Sequence, residues 1–425
     1  MGFAVALSIG ITIGAGIFRT PGEVAAHLPS AALFMTAWAV GGLYALLSAF
    51  QLSELGTMIP RSGGQYAFSR YALGEYPGFI VGWSDWLSTC GTAAAVSLVI
   101  GEFSDAVLPS LGRHTTAVAT AVAALFALAQ WRGVREGSLV QTLTSAMKAL
   151  ALIALVIVSF TFGGHAQPPA APAMKTGLEL VGAFVLALQA VIYTYDGWNG
   201  AIYVSEELRT PGRDIPRSVI SSVLAIIATY LIVNLAFLHV LPISQLAGQP
   251  FAAGAVATAI FGSVGDAIIR TLVIVALLSA VNANHLEASR VLFALGRDRL
   301  MSTRVAAVNE GGTPTVALLL STVVAVLFIL FGQTFATVIT VLSFFFVSNY
   351  TLSFISVFVL RWREPERPRP YRAWGYPWTT ALALLGSIAF LAGAVASDTR
   401  NSAYALLLLA ASYPGYRLVK RVEHT

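Results

Sequence analysis

The stretch YTYDGWNGAIYVSEE, Tyr193 to Glu207, closes a long apolar run, yet it places an aspartate, an asparagine and two glycines where a membrane-crossing helix should continue. In hydrocarbon, the backbone N–H and C=O groups freed by such a break find no water, so a break is tolerated only where the segment is buried in protein or lines a cavity. The rest of the chain supplies that context. Of its 425 residues, 57% are hydrophobic and 11% charged, a balance that excludes a water-soluble core wrapped in a polar surface. The chain reads as an integral membrane protein. Its formal charge of +5 says less than where the charges fall, and it calls for no nucleic-acid partner.

Apolar runs of ~20 residues, enough to cross ~30 Å of hydrocarbon, fall near 2–27, 31–57, 78–103, 115–131, 138–162 and 177–207, then near 218–241, 266–295, 314–331, 334–360, 377–397 and 401–417. The expected fold is therefore all-α, with about twelve transmembrane helices. The basic residues test the topology independently. With the N-terminus inside, outer positions hold only Arg113, Lys175, Arg270 and Arg400, while nearly all the other lysines and arginines fall in inner loops. That bias favours both termini on the cytoplasmic side. No soluble domain fits between the spans, because the longest outer segments, 163–175 and 242–262, are short and rich in small residues. No cleavable signal pattern opens the chain. The lone Cys90 rules out an internal disulfide, and the scattered histidines have no metal-ligand spacing, so neither a metal nor a cofactor is expected.

The first span carries a second interruption, IGITIGAGIFRTPG (residues 9–22), with Gly10, Gly14, Gly16 and Gly22 and with Pro21. Isolated glycines in membrane helices usually mean close helix packing; the break at Tyr193 to Gly200 is harder to explain that way. Spans one and six would head two five-helix halves, 1–162 and 177–360, of opposite orientation, with 377–417 as two added helices. Paired, interrupted spans in inverted halves point to a secondary transporter's binding site. The half-helix beginning near Ile17 turns its N-terminus and the amides of Gly14, Ala15 and Gly16 toward a carboxylate. The carbonyls of Thr12 and Tyr193 suit an ammonium group. A zwitterion satisfies both poles, which favours an α-amino acid, although other small ligands with two opposite charges also fit.

The motifs ITIGAGIFRTPG (11–22), SELGTMIPRSGGQYAF (53–68), YTYDGWNGAIYVSEELRTPGRDIPRS (193–218) and FVLRWREPERPRPYRAWGYP (358–377) closely resemble the amino acid, polyamine and organocation superfamily, in particular its L-type amino acid transporter branch. The resemblance implies a five-plus-five inverted-repeat (LeuT-like) fold with discontinuous helices 1 and 6 plus two C-terminal helices, alternating access, and amino acid transport without a cofactor. Gly14, Ala15 and Gly16 match the family's carboxylate-binding segment, with Ala15 where a serine is common. Tyr193 matches an aromatic gate, and Asn199 a polar position near substrate. Asp196 stands where some relatives have glycine, so no role is imported for it. The chain enters apolar sequence by Phe3, without the polar tail usual before span one, so its start is read as truncated or misassigned.

Lys148 lies ten residues beyond Ser138, ~15 Å along a helix and so about mid-bilayer. A lysine there costs at least ~2.5–3.5 kcal/mol on insertion scales and needs interior partners. It reads either as a coupling residue, accepting protons or standing in for the sodium ion that related folds hold, or as a lysine merely satisfied by broken-helix carbonyls. Asp196 reads either as a helix cap or as a counter-ion to Arg19, Lys148 or a cationic substrate. Glu54, Glu206 and Glu207 read as ion pairs with Arg61, Arg209 and Arg213; Glu102 as an outer helix end; His285 and Glu287 as polar packing or a proton path; Trp83 and Trp86 as pocket lining or, more commonly for membrane tryptophans, as anchors or packing. Within the break, Trp198, with Ile13 and Ile17 of span one, completes the expected substrate-binding set of Thr12, Ile13, Gly14, Ala15, Gly16, Ile17, Tyr193, Asp196, Trp198 and Asn199.

The function expected is sodium-independent amino acid transport, by exchange or proton symport, in a bacterial inner membrane and without an obligatory protein partner. An amino acid sensor or a partner-dependent subunit with the same pocket is the alternative. No nucleophile, base and orienter cluster points to an enzyme.

Overall fold

The computed structural model describes residues 2–423, apart from 62, 107, 109, 132–136, 165–175, 204, 206, 207, 209 and 311. The first apolar run is two helices, α1 (Gly2–Thr12) and α2 (Ala15–His27), followed by α3 (Ala31–Met58), α4 (Gln65–Leu73), α5 (Glu75–Phe103), α6 (Thr115–Trp131) and α7 (Gly137–Phe162). The sixth apolar run is likewise two helices, α8 (Gly177–Tyr195) and α9 (Gly200–Tyr203). After it come α10 (Pro211–Val240), α11 (Ile243–Leu246), α12 (Ala252–Phe261), α13 (Ser263–Arg297), α14 (Thr315–Gly332), α15 (Phe335–Arg363), α16 (Trp378–Ser397), α17 (Thr399–Ala410) and α18 (Ser412–Glu423).

Among the described residues nine helices are long and apolar enough to cross a membrane. Three expected spans fall outside that group: the interrupted first run, the span at 138–162, of which Lys148–Phe162 is a shorter apolar stretch, and the span at 401–417. The last differs from expectation because the helix is interrupted at Ala411, dividing it into α17 and α18. Pro414 has no N–H to return to the carbonyl of Ala410, which weakens a continuous helix there. The outer segment 242–262 also holds more structure than its composition suggested, since α12 packs on α13, α2 and α10.

Helix α5 is the centre of the bundle, packed on α13, α15, α14, α4 and α6. Glycines make the approach possible: a Cβ on Gly82 would lie 2.6 Å from Leu295 of α13, and one on Gly91 2.4 Å from Leu342 of α15. At the periphery α6, α14 and α16 are largely unburied and present leucines such as Leu125, Leu319 and Leu385 outward, an apolar surface for lipid. The two interrupted runs pack crosswise, α2 against α8 and α1 against α9.

The arginine- and proline-rich linker after α15 is folded onto the bundle. Glu54, 1% exposed near the end of α3, accepts both nitrogens of a bidentate pair from Arg361 (2.7 and 2.6 Å) and the amide of Ala373 (2.6 Å), and Arg369 Nε lies 3.3 Å away. Its partners are therefore not Arg61, and Glu206, Glu207 and Arg209 lie outside the described residues. Removing one member of a buried pair costs about 3–5 kcal/mol, because the other charge stays buried. Glu54→Ala is expected to lower thermal stability in detergent well beyond the effect of a surface glutamate; an unchanged melting temperature would contradict this anchoring role.

Candidate functional site

Both interruptions are explained by where their hydrogen bonds go. In the first, Ile13 N–H still donates to Ile9 (2.9 Å), but Gly14 N–H turns back to the carbonyl of Thr12 (2.8 Å). The carbonyl of Gly10, which Gly14 would have satisfied in a continuous helix, is thereby freed. Gly14 is extended (φ −119°, ψ −152°) and gives α2 no side-chain cap, so the first amides of α2 have no acceptor within their own helix. In the second, Asp196 N–H closes α8 on Ile192 and Tyr193 (3.1 and 3.2 Å), and Gly197 takes φ +107°, where a side chain would be strained. A Cβ there would also lie 2.8 Å from Ile11.

Tyr230 of α10 ties the breaks together: its hydroxyl donates to the carbonyls of Thr12 (2.8 Å) and Thr194 (3.0 Å). Thr12 thus accepts from both Gly14 and Tyr230, and the carbonyl of Tyr193 from Asp196. The carbonyls assigned by sequence to an ammonium group therefore already carry protein donors.

Between the breaks lies a cavity with about 110 Å³ open to the centres of water-sized molecules. Thr12, Gly14, Ala15, Gly16, Tyr193, Asp196 and Asn199 all line it. Ile13 and Ile17 do not and are buried in the apolar core. Trp198 does not line it either. Its ring, 2% exposed, stacks on Tyr350 of α15 at 5.7 Å and 16° and borders a smaller void beside Tyr44 and Tyr195. Asp196 accepts a hydrogen bond from the Tyr350 hydroxyl (2.6 Å) and occupies the end of α8.

Lys148 stands off the cavity, 4% exposed, and its ammonium donates to the Gly10 carbonyl at 3.3 Å, the group that the first break frees. Arg19 is paired with Glu102 of α5 and lies over the ring of Phe335 (4.8 Å), so Glu102, not Asp196, is its counter-ion. Tyr193 meets Phe335 edge to face at 5.5 Å. Trp83 and Trp86 bond Leu408 and Ser321, and His285 is buried away from the cavity.

Sequence reasoning missed much of the wall. Asp85 of α5, Tyr203 of α9, Gln65 of α4, Asn284 of α13 and Asn349 of α15 line the cavity, and Glu287 faces it too. The Tyr203 hydroxyl lies 3.1 Å from both carboxylate oxygens of Asp85. Asp85 is ten residues into α5 and Glu287 ten from the end of α13. At 1.5 Å per residue each is ~15 Å from its helix end, the same depth that singled out Lys148.

A multi-pass helical membrane protein with a polar cavity at two broken helices is the architecture of a carrier for small solutes. The sequence pattern of the amino acid permease family matches residues 3–412, and the chain belongs to that family. It is 28% identical over 429 residues to the serine/threonine exchanger SteT of Bacillus subtilis (strain 168), covering 99% of this chain and 96% of that protein. It is 29% identical to the Asc-type amino acid transporter 1 of Mus musculus (87% of this chain, 71% of that protein). The b(0,+)-type amino acid transporter 1 of Homo sapiens is 27% identical (87% and 77%).

Proposed function

We propose that the protein is a secondary transporter of α-amino acids that works by alternating access, independently of sodium, as an exchanger or proton symporter. The observation that carries this reading is the cavity between the breaks, where the uncapped N-terminus of α2, at Ala15 and Gly16, meets the end of α8 and the side chain of Asn199. Amides there suit the substrate carboxylate. The ammonium group pairs with oxygens of the opposite wall, Asp196 among them, since the break carbonyls are already engaged.

On this reading the chain has twelve spans, in inverted halves 1–162 and 177–360 and two further helices in 377–417. The crosswise packing of α2 on α8 and α1 on α9 supports the inversion. Both termini are cytoplasmic and the membrane is a bacterial inner membrane, in keeping with the basic inner loops and the likeness to SteT over nearly the full length. Phe335, Arg19 and Glu102 close the outer end above Tyr193. Lys148 is the fixed or titrating positive charge at the freed Gly10 carbonyl, which removes the need for sodium there. The transporter needs no obligatory protein partner.

The test is uptake of a labelled amino acid panel into proteoliposomes that are empty, preloaded with unlabelled amino acids, or under an inward proton gradient. Preloading or the gradient is expected to drive uptake with no sodium present. Strict sodium dependence would contradict the role given to Lys148, and binding without flux under every condition would indicate a sensor instead.

A further inference from the structure

The cavity is strongly asymmetric in charge. Among the described residues that line it are three carboxylates, Asp85, Asp196 and Glu287, and no lysine, arginine or histidine. Tyr203 and Tyr350 donate to the two aspartates, but neutral phenols do not cancel their charge. Glu287 has no hydrogen bond or ion pair within the described residues. Glu287 is partly exposed and lines the cavity, so a group that enters the cavity is the one that completes it.

Asn199 points to a ligand independently of the charges. Its side chain is 8% exposed, lines the same cavity and has no hydrogen-bond partner among the described residues. The carboxylates do not form a metal site: no group of three acidic or metal-ligating residues among the described ones could hold a metal ion. One compact cation therefore does not serve them all. Asp196 stands at the break beside the α8 end, whereas Asp85 and Glu287 come from α5 and α13, two helices packed directly on each other.

We infer that this site selects basic α-amino acids, whose side chain ends in an ammonium or guanidinium group. The inference rests on the amino acid transport reading above and names its substrate class. The carboxylate meets the amides of Ala15 and Gly16, the α-ammonium lies on the Asp196 side, and the side-chain cation enters between Asp85 and Glu287. A neutral zwitterion adds no net charge and brings no cation to Asp85 and Glu287; a basic amino acid brings one net positive charge and three to five further donors to that end of the cavity.

The experiment is counterflow in proteoliposomes preloaded with a mixture of unlabelled amino acids, measuring labelled arginine, lysine, serine and leucine in parallel. Arginine and lysine uptake should exceed serine and leucine uptake, and the ratio of basic to neutral uptake should fall at least tenfold in Glu287→Gln and in Asp85→Asn. Glu287→Asp, which keeps the charge, should retain most of the ratio. A structural role alone would lower all four fluxes together and leave the ratio unmoved, and that result overturns the proposal. Neutral uptake without basic uptake overturns it as well, with transport intact. Absence of uptake for every amino acid overturns the transport reading itself.

Discussion

Lys148→Ala is expected to reduce coupled uptake in proteoliposomes to the level of empty liposomes while leaving a folded, monodisperse protein. The ammonium is buried and donates to the Gly10 carbonyl, one of the last carbonyls of α1. That is the negative end of a helix dipole and a favourable place for a cation. Alanine removes the charge and the donor together, so the freed carbonyl and the end of α1 lose what holds them in register with α7. Lys148→Arg separates the two functions still open for the residue. Arginine keeps the positive charge but does not deprotonate in proteins. If the charge is only a tether, the arginine variant should retain part of the exchange flux; if a proton must leave, it should be as inactive as alanine under a gradient. Uptake kinetics in Lys148→Ala equal to those of the unmodified protein would remove Lys148 from the mechanism.

The breaks are legible in the sequence because their cause is local. Asp196, Gly197, Asn199 and Gly200 cannot all continue an apolar helix, and α8 indeed stops at Tyr195 and the chain resumes helix at Gly200. Lys148 is legible for a similar reason, a charge too deep to reach water. The pairings were not legible, since they depend on which helices meet. Glu54 finds Arg361 307 positions away, and no local pattern distinguishes that partner from Arg61. Trp198 sits inside the break, yet its ring turns to Tyr350; a side chain's direction at a non-helical residue is not a property of spacing. Asp85 was within reach of the same kind of argument, because it is a charge seven residues inside the span expected at 78–103.

The close contact of the two broken runs makes Gly16 the position where the smallest change should have the largest effect. A Cβ on Gly16 would lie 2.8 Å from Thr194 Oγ1, 2.9 Å from Cγ2 and 3.1 Å from Cβ. Thr194 has little room to yield: its hydroxyl donates to Ala190 (2.7 Å) and is bonded to Thr20 (2.8 Å), which is itself bonded to the Gly16 carbonyl (2.8 Å). A branched side chain whose hydroxyl is held by two hydrogen bonds resists rotation. The added carbon must push α2 away from α8, an overpacking that typically costs 1–3 kcal/mol. The displacement also moves the amides of Ala15 and Gly16 where they face the cavity. We expect Gly16→Ala to lower uptake at least tenfold and Gly16→Val to abolish it, with melting temperatures falling in the same order. Thr194→Ala removes the two closest atoms, so in the Gly16→Ala background it should restore part of the uptake that the single change loses. Such rescue is a coupling between neighbours, which a double-mutant cycle isolates. Gly16→Val with normal uptake, or losses that simply add in the double variant, would mean that the approach of α2 to α8 does not set the geometry of the site.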